Sequence, residues 1–223
     1  MTRRIVAEGA GTALLLYVIV GSGIAAAEAS DDAALQLFAH AIVVGVGLGV
    51  LIALFQSVSG SHFNPSVTIA FWRSGSMTPR EAGGYVVAQL TGAVTGVVAA
   101  NLSFDLAAVT VSSTSRDGAG RVGAEGIATF VLVLVILVLV RTDRAAAVPV
   151  AVGAWVSAIV FATSSTGFAN PAVTGARMFT DTYTGIAPAS VLGFLAAQVV
   201  AGLGAAPVAR FFAPSPAPVE TPT

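Results

Sequence analysis

Three short signatures occur twice along this chain, in the same order. Ala7-Glu8-Gly9-Ala10-Gly11-Thr12 is echoed by Ala124-Glu125-Gly126-Ile127-Ala128-Thr129. Asn64-Pro65-Ser66-Val67-Thr68 returns as Asn170-Pro171-Ala172-Val173-Thr174, and Ala88-Gln89 with Gly92 returns as Ala197-Gln198 with Gly202. An ordered set of repeated signatures divides the chain into two like halves, and any fold assigned to it must contain the same unit twice.

Composition sets the medium in which those halves fold. Of 223 residues, 56% are apolar and 9% charged, where a soluble domain carries roughly 25% charged residues. Mean hydropathy is +0.88. Such a chain has too little polar surface for a water-soluble enzyme, a nucleic-acid binder or a disordered protein. All ten basic residues are Arg, the net charge is −1, and no basic tract could follow a phosphate backbone, so nucleic acid is excluded as a partner. The absence of Cys removes disulfides and thiolate chemistry. Runs long enough to span a bilayer cover Ile5 to Ala27, Leu35 to Phe55, Glu81 to Leu102, Val122 to Val140, Ala146 to Thr163 and Ile186 to Phe212. The first is too long for a signal peptide and carries Glu8, so it reads as a retained helix. Each half therefore holds three spans. Three is odd, so the second half enters from the opposite side and the repeat is inverted.

Each Asn-Pro follows a full span and opens a mostly apolar segment, residues 64–73 and 170–179. About ten helical residues rise about 15 Å, half of a hydrocarbon core of about 30 Å. Pro suits the first position of a helix, where its missing N–H would have had no partner, and the preceding Asn can cap it. Inversion lets two such half-helices enter from opposite faces and meet N-terminus to N-terminus at mid-membrane. The expected fold is an all-α membrane protein of six transmembrane helices and two re-entrant half-helices. Residues 1–113 form the first half-repeat, 114–212 the second, and 213–223 a disordered Pro-rich tail. With the N-terminus inside, seven Arg fall on the cytoplasmic side and three outside, which predicts cytoplasmic N- and C-termini in a cell membrane.

From Glu8 to Gly202 the chain resembles the major intrinsic protein family, the aquaporins and aquaglyceroporins. The resemblance rests on both Asn-Pro loops, Ser59-Gly60-Ser61-His62-Phe63 before the first, both helix-opening Glu residues and both Ala-Gln pairs. It implies a passive channel and a homotetramer with one pore per chain, with water and small uncharged solutes as partners and no enzymatic activity. The central pore falls on Asn64, Pro65 and Ser66 with Asn170, Pro171 and Ala172. The half-helix N-termini aim positive potential at the pore centre, the two Asn amides donate to passing solute oxygens, and free loop carbonyls accept from them. Most relatives place an Arg directly after the second Asn-Pro-Ala, where this chain has Val173. An ungapped comparison back from the two Asn residues adds Val44, Ala158 and backbone at Gly167 to the selectivity filter, which is then wide and uncharged. In that respect it resembles bacterial aquaglyceroporins lacking the Arg, associated with arsenic resistance, and fits polyols or the neutral trihydroxides of arsenic and antimony. The alternative is that Arg177, one turn further on, supplies the charge.

Glu8 and Glu125 are carboxylates inside spans, where an unpaired charge is costly, so each must be hydrogen-bonded. Duplication with the loops points to anchoring of each half's loop; a proton-relay role is the other reading. His62 joins them as a loop-anchoring residue near the pore mouth, and His40 reads as a packing residue. Gly45, Gly47, Gly49, Gly92 and Gly96 are expected to let helices approach closely. No catalytic residue, cofactor or metal site is expected, since two His and no Cys leave few ligands. The rival functions are a proton-coupled secondary transporter with inverted repeats, a water-selective aquaporin, and a junction-forming structural protein.

Overall fold

A computed structural model describes residues 1–213. Its elements are α1 (Thr2–Ala29), α2 (Ala33–Ser59), α3 (Pro65–Arg73), α4 (Pro79–Ser103), α5 (Ala119–Arg141), α6 (Val148–Ala162), α7 (Pro171–Ala176) and α8 (Pro188–Phe212). Six of these, with α6 extended back through a 3-10 turn to Ala145, are apolar and 18 to 28 residues long. At about 1.5 Å per residue, each is long enough to cross about 30 Å of hydrocarbon. They are the six expected spans, four of them running past the predicted bounds at both ends, while the fifth covers Ala145–Ala162 and stops one residue short of Thr163. The sixth starts two residues late, at Pro188, whose fixed φ and missing N–H suit the first helical position.

Local signals set the other starts. Asp32 caps α2 by accepting from Leu35 N at 2.8 Å, and Thr78 with Glu81 forms a reciprocal capping box on α4. Asn64 and Asn170 cap α3 and α7, each followed by Pro. The second half-helix is shorter than expected. Its α-helical part ends at Ala176, and Arg177–Phe179 tighten into a 3-10 turn. There the carbonyls of Met178 and Phe179 accept from Ser112 N (2.9 Å) and Thr110 N (3.1 Å), so the segment joining the halves replaces the missing intrahelical donors.

In the first half α1 packs on α4, and in the second α5 packs on α8; α2 and α6 pack on each other and join the halves. Glycine sets the close approaches. A Cβ on Gly153 would lie 2.6 Å from Gly45 O, and one on Gly92 would collide with Gly9 O. Leu192, Val200, Val150 and Phe211 stand exposed on the outer surface, as lipid-facing positions require, because hydrocarbon solvates them without penalty. The half-helices lie inside the bundle, α3 against α8 and α7 against α4. At the chain's end, Ala213 O accepts from Arg141 Nε at 2.7 Å. The rest of the expected disordered tail, residues 214–223, lies outside the described residues.

Candidate functional site

Both half-helices begin at the middle of the bundle, and their two capping Asn residues are cross-linked there. Asn64 Nδ2 donates to Ala169 O at 2.8 Å, and Asn170 Nδ2 donates to Phe63 O at 2.8 Å. Each Asn Oδ1 is turned back to cap its own helix, from Ser66 N at 2.8 Å and from Ala172 N at 2.9 Å. A primary amide carries two N–H bonds. One of each pair is thus fixed on the opposite loop, and the other is left at the cavity that both Asn residues line.

The acceptors of those bonds sit in unusual backbone. Phe63 (φ 46°) and Ala169 (φ 50°) are non-glycine residues in the left-handed region, which costs of order 1–3 kcal/mol each unless the surroundings hold it. Both ends of each residue are held. Phe63 N donates to Glu8 Oε2 at 2.7 Å and Ala169 N to Glu125 Oε2 at 2.8 Å, while their carbonyls take the Asn amides. These left-handed residues lie in the two loop segments, 61–64 and 166–170, that line the cavity.

The two carboxylates are fully buried and engaged by their own half's loop. Glu8 also accepts from His62 N (2.9 Å), Ser59 Oγ (2.6 Å) and Gln89 Nε2 (2.8 Å). Glu125 accepts from Phe168 N (2.9 Å) and Gln198 Nε2 (2.6 Å). The two Gln amides then reach the Thr of each repeated motif, Gln89 to Thr68 Oγ1 at 2.9 Å and Gln198 to Thr174 Oγ1 at 2.8 Å. Thr68, Thr174 and Ser59 were not singled out from the sequence, although both Thr residues recur at the same offset after Asn. The His62 ring adds a contact of Nδ1 to Thr68 Oγ1 at 3.1 Å and stacks on Phe71 with centroids 4.6 Å apart. Phe168 and Arg177 hold the equivalent positions in the second half, and there the Arg177 guanidinium carbon lies 3.4 Å from the ring centroid.

The cavity is narrow, with a volume of about 50 Å³. Away from the loops its lining is largely apolar, with Ile19, Val44, Leu48, Val152, Val156 and Val160 among the lining residues. Of the expected filter residues, Val44, Gly167 and Val173 line it. Ala158 does not. It is exposed on the outward face of α6, and Val156 and Val160 occupy the pore face instead. Counting back without gaps from Asn170 crosses the non-helical residues 163–169, and a two-residue error there turns a helix by about 200°.

Arg177, the alternative source of charge, is also found at this cavity. It lies four residues beyond Val173 in the 3-10 turn that follows the half-helix, lines the same cavity and is buried to 4% exposure. Its Nε donates to Thr184 O. A second guanidinium approaches the same Phe168 ring from the segment joining the halves and lines a neighbouring chamber with Arg177 and Tyr183: Arg116 donates Nε to Gly185 O at 2.8 Å and lies 5.0 Å from the Phe168 ring centroid. Burial, with a smaller contribution from Arg121, pushes Arg116 down to about 10, so it stays cationic at neutral pH. Asp117 pins this segment by accepting from Ser190 Oγ at 2.6 Å. His40, expected to be a packing residue, lines both the channel cavity and this adjoining outer chamber, formed with Leu37, Arg116, Thr166, Arg177 and Tyr183, with Nδ1 2.8 Å from Ser22 Oγ.

The description "Major intrinsic protein" matches residues 1–186. The chain is 43% identical over 211 residues to the aquaglyceroporin AqpS of Rhizobium meliloti (strain 1021), covering 95% of this chain and 90% of that protein. It is 31% identical over 191 residues to the probable aquaporin TIP2-2 of Oryza sativa subsp. japonica, covering 81% and 77% of the two. Among solved structures, the aquaglyceroporin from Plasmodium falciparum superposes with a TM-score of 0.74 over 96% of both chains at 21% identity, a likeness of fold.

Proposed function

This chain belongs to the major intrinsic protein family, and from that premise we propose which solutes its channel passes and which residues select them. It is an integral membrane protein and a passive channel for water and small solutes; it is not an enzyme. The proposed solutes, besides water, are glycerol-like polyols and the neutral trihydroxides of arsenic and antimony.

The observation that carries this reading is the crossed pair of Asn amides at a cavity lined by the two loops and by apolar side chains of α2 and α6. A hydroxylated solute can accept from the free Asn N–H bonds and donate to loop carbonyls while its carbon skeleton slides along Val44, Val156 and Val160. Hydration is exchanged stepwise and no single site binds deeply. Cations meet the positive ends of two half-helices and then the Arg177 guanidinium, so the barrier to charge is spread along the path. Val173, in the place where most relatives carry Arg, leaves room for solutes larger than water. Glu8, Glu125 and His62 serve to anchor the loops. The proposed assembly is a homotetramer with both termini cytoplasmic.

Stopped-flow shrinkage and reswelling of proteoliposomes tests the solute range. Glycerol and arsenous acid permeabilities should both rise well above those of protein-free vesicles, together with water. A vesicle population that gains water permeability alone would overturn the polyol and metalloid reading.

A further inference from the structure

The outer chamber holds two buried or half-buried guanidiniums and, among the described residues, no carboxylate paired with either. The one ion pair within 4.0 Å among those residues is Arg4 with Glu81, at the opposite end of the bundle. The acidic groups near the chamber are occupied elsewhere. Glu125 faces the loop amides and Gln198, Asp117 faces Ser190 and Ser115, and Asp181 faces Ser113. Arg177 uses Nε on Thr184 O, and neither of its Nη groups hydrogen-bonds to a described residue. Arg116 reaches backbone carbonyls at Gly185 and Tyr183 and the Thr166 hydroxyl, at 2.8, 3.3 and 3.3 Å, and each of its Nη groups keeps a further N–H. Both cations share the Phe168 ring, so each raises the cost of the other. Two like charges held together at low dielectric, with unused donors, favour an anion between them.

We propose that this chamber, lined by Leu37, His40, Arg116, Thr166, Arg177 and Tyr183, binds a small oxyanion of carboxylate, nitrate or sulfonate size between the two guanidiniums. Its volume of about 200 Å³ admits such a group. The Tyr183 hydroxyl has no partner among the described residues and stands beside His40, with ring centroids 5.7 Å apart, as a further donor. Arg177 lines both this chamber and the channel cavity, so a bound anion sits in the path of an entering solute and slows it. That last consequence rests on the channel reading; the binding does not.

The probe is nitrate, which stays ionised at all working pH values, compared with equal ionic strength supplied by chloride, which is not an oxyanion. In thermal unfolding of the detergent-purified full chain, nitrate should raise the midpoint saturably. Arg116→Gln and Arg177→Gln should each move half-saturation to about tenfold higher nitrate, the loss of one charge-assisted interaction. No nitrate-specific rise in the wild type, or equal half-saturation in the wild type and both variants, would overturn the site. Should Arg177→Gln fail to fold, the half-buried Arg116→Gln and the charge-preserving Arg177→Lys decide the question. In proteoliposomes, nitrate on the chamber side should slow glycerol entry with the same half-saturation. Binding with unaltered flux would overturn the placement of the anion in the path. A saturable midpoint shift in a protein that conducts no glycerol would instead strike the channel reading and leave the anion site standing.

Discussion

No hydrogen bond joins Asn64 to Asn170, yet each is held by the other's loop, through Nδ2 bonds of 2.8 Å to Ala169 O and to Phe63 O. The two half-helices are thereby locked at their N-termini by a pair of bonds related by the inverted repeat. Each amide must be a donor on Nδ2 and an acceptor on Oδ1 at once. Only Asn meets both demands at this side-chain length.

Replacing either by Asp therefore does two things. It sets a carboxylate oxygen against a carbonyl oxygen, breaking the cross-link, and it places an anion where the helix N-termini leave positive potential. Asn64→Asp and Asn170→Asp should both raise Na⁺ or K⁺ leak through proteoliposomes, by comparable factors. Unchanged cation conductance in both, with normally folded protein, would contradict the meeting of the half-helices at the pore centre.

Glu8→Gln and Glu125→Gln probe the anchors. An amide must turn an N–H toward at least one backbone N–H that now donates to carboxylate, so a buried donor is left without a partner. The expected loss is about 2–3 kcal/mol for each, by the cost of an unmet buried hydrogen bond to a charged group. Glu8 accepts four bonds and Glu125 three, so Glu8→Gln should lower the unfolding midpoint more. The reverse order, in matched detergent, would contradict the bond assignment.

Much of this arrangement is legible in the sequence because it depends on short-range rules. Spans follow from apolar run length, half-helices from Asn-Pro at a helix start, and the Glu anchors from their duplication with the loops. The pore face of α6 is not legible, since a helix's rotation depends on how many loop residues precede Asn170, and Val156 and Val160 cannot be told from Ala158 by pattern in a helix apolar all round. Arg116 escapes for a different reason. Residues 104–118 have no periodicity, and their inward course is fixed by pairing with residues 178, 179 and 187 far along the chain.

Val173→Arg tests the filter. A guanidinium there would stand one turn from Arg177, narrowing the passage between Gly167 and the α2 and α6 walls and adding a second like charge. Glycerol flux should fall by a larger factor than water flux. An unchanged water-to-glycerol ratio on equal amounts of reconstituted protein would mean that Val173 does not form the constriction.

Asp117 gives the acid side of the stability profile. Hydroxyls of Ser190 and Ser115 hold its carboxyl below the usual carboxylate range. A depressed folded-state value contributes stability that is present above the unfolded value of about 3.9 and is lost as pH falls through the folded one. The midpoint difference between the wild type and Asp117→Asn should thus be present at pH 6 and shrink below about pH 4. A difference that persists undiminished at pH 3 would contradict the role of its ionised form.

The central claim is passive passage of neutral solute, and the most direct measurement is radiolabelled glycerol uptake into proteoliposomes with and without an imposed pH gradient. Glu8 and Glu125 are fully bonded within the fold, which leaves neither carboxylate free to load a proton in step with a solute. The account predicts the same rate constant in both conditions and an internal glycerol concentration that stops at the external one. Accumulation above the external concentration, driven by the proton gradient and abolished by collapsing it, would contradict the channel and favour a coupled transporter.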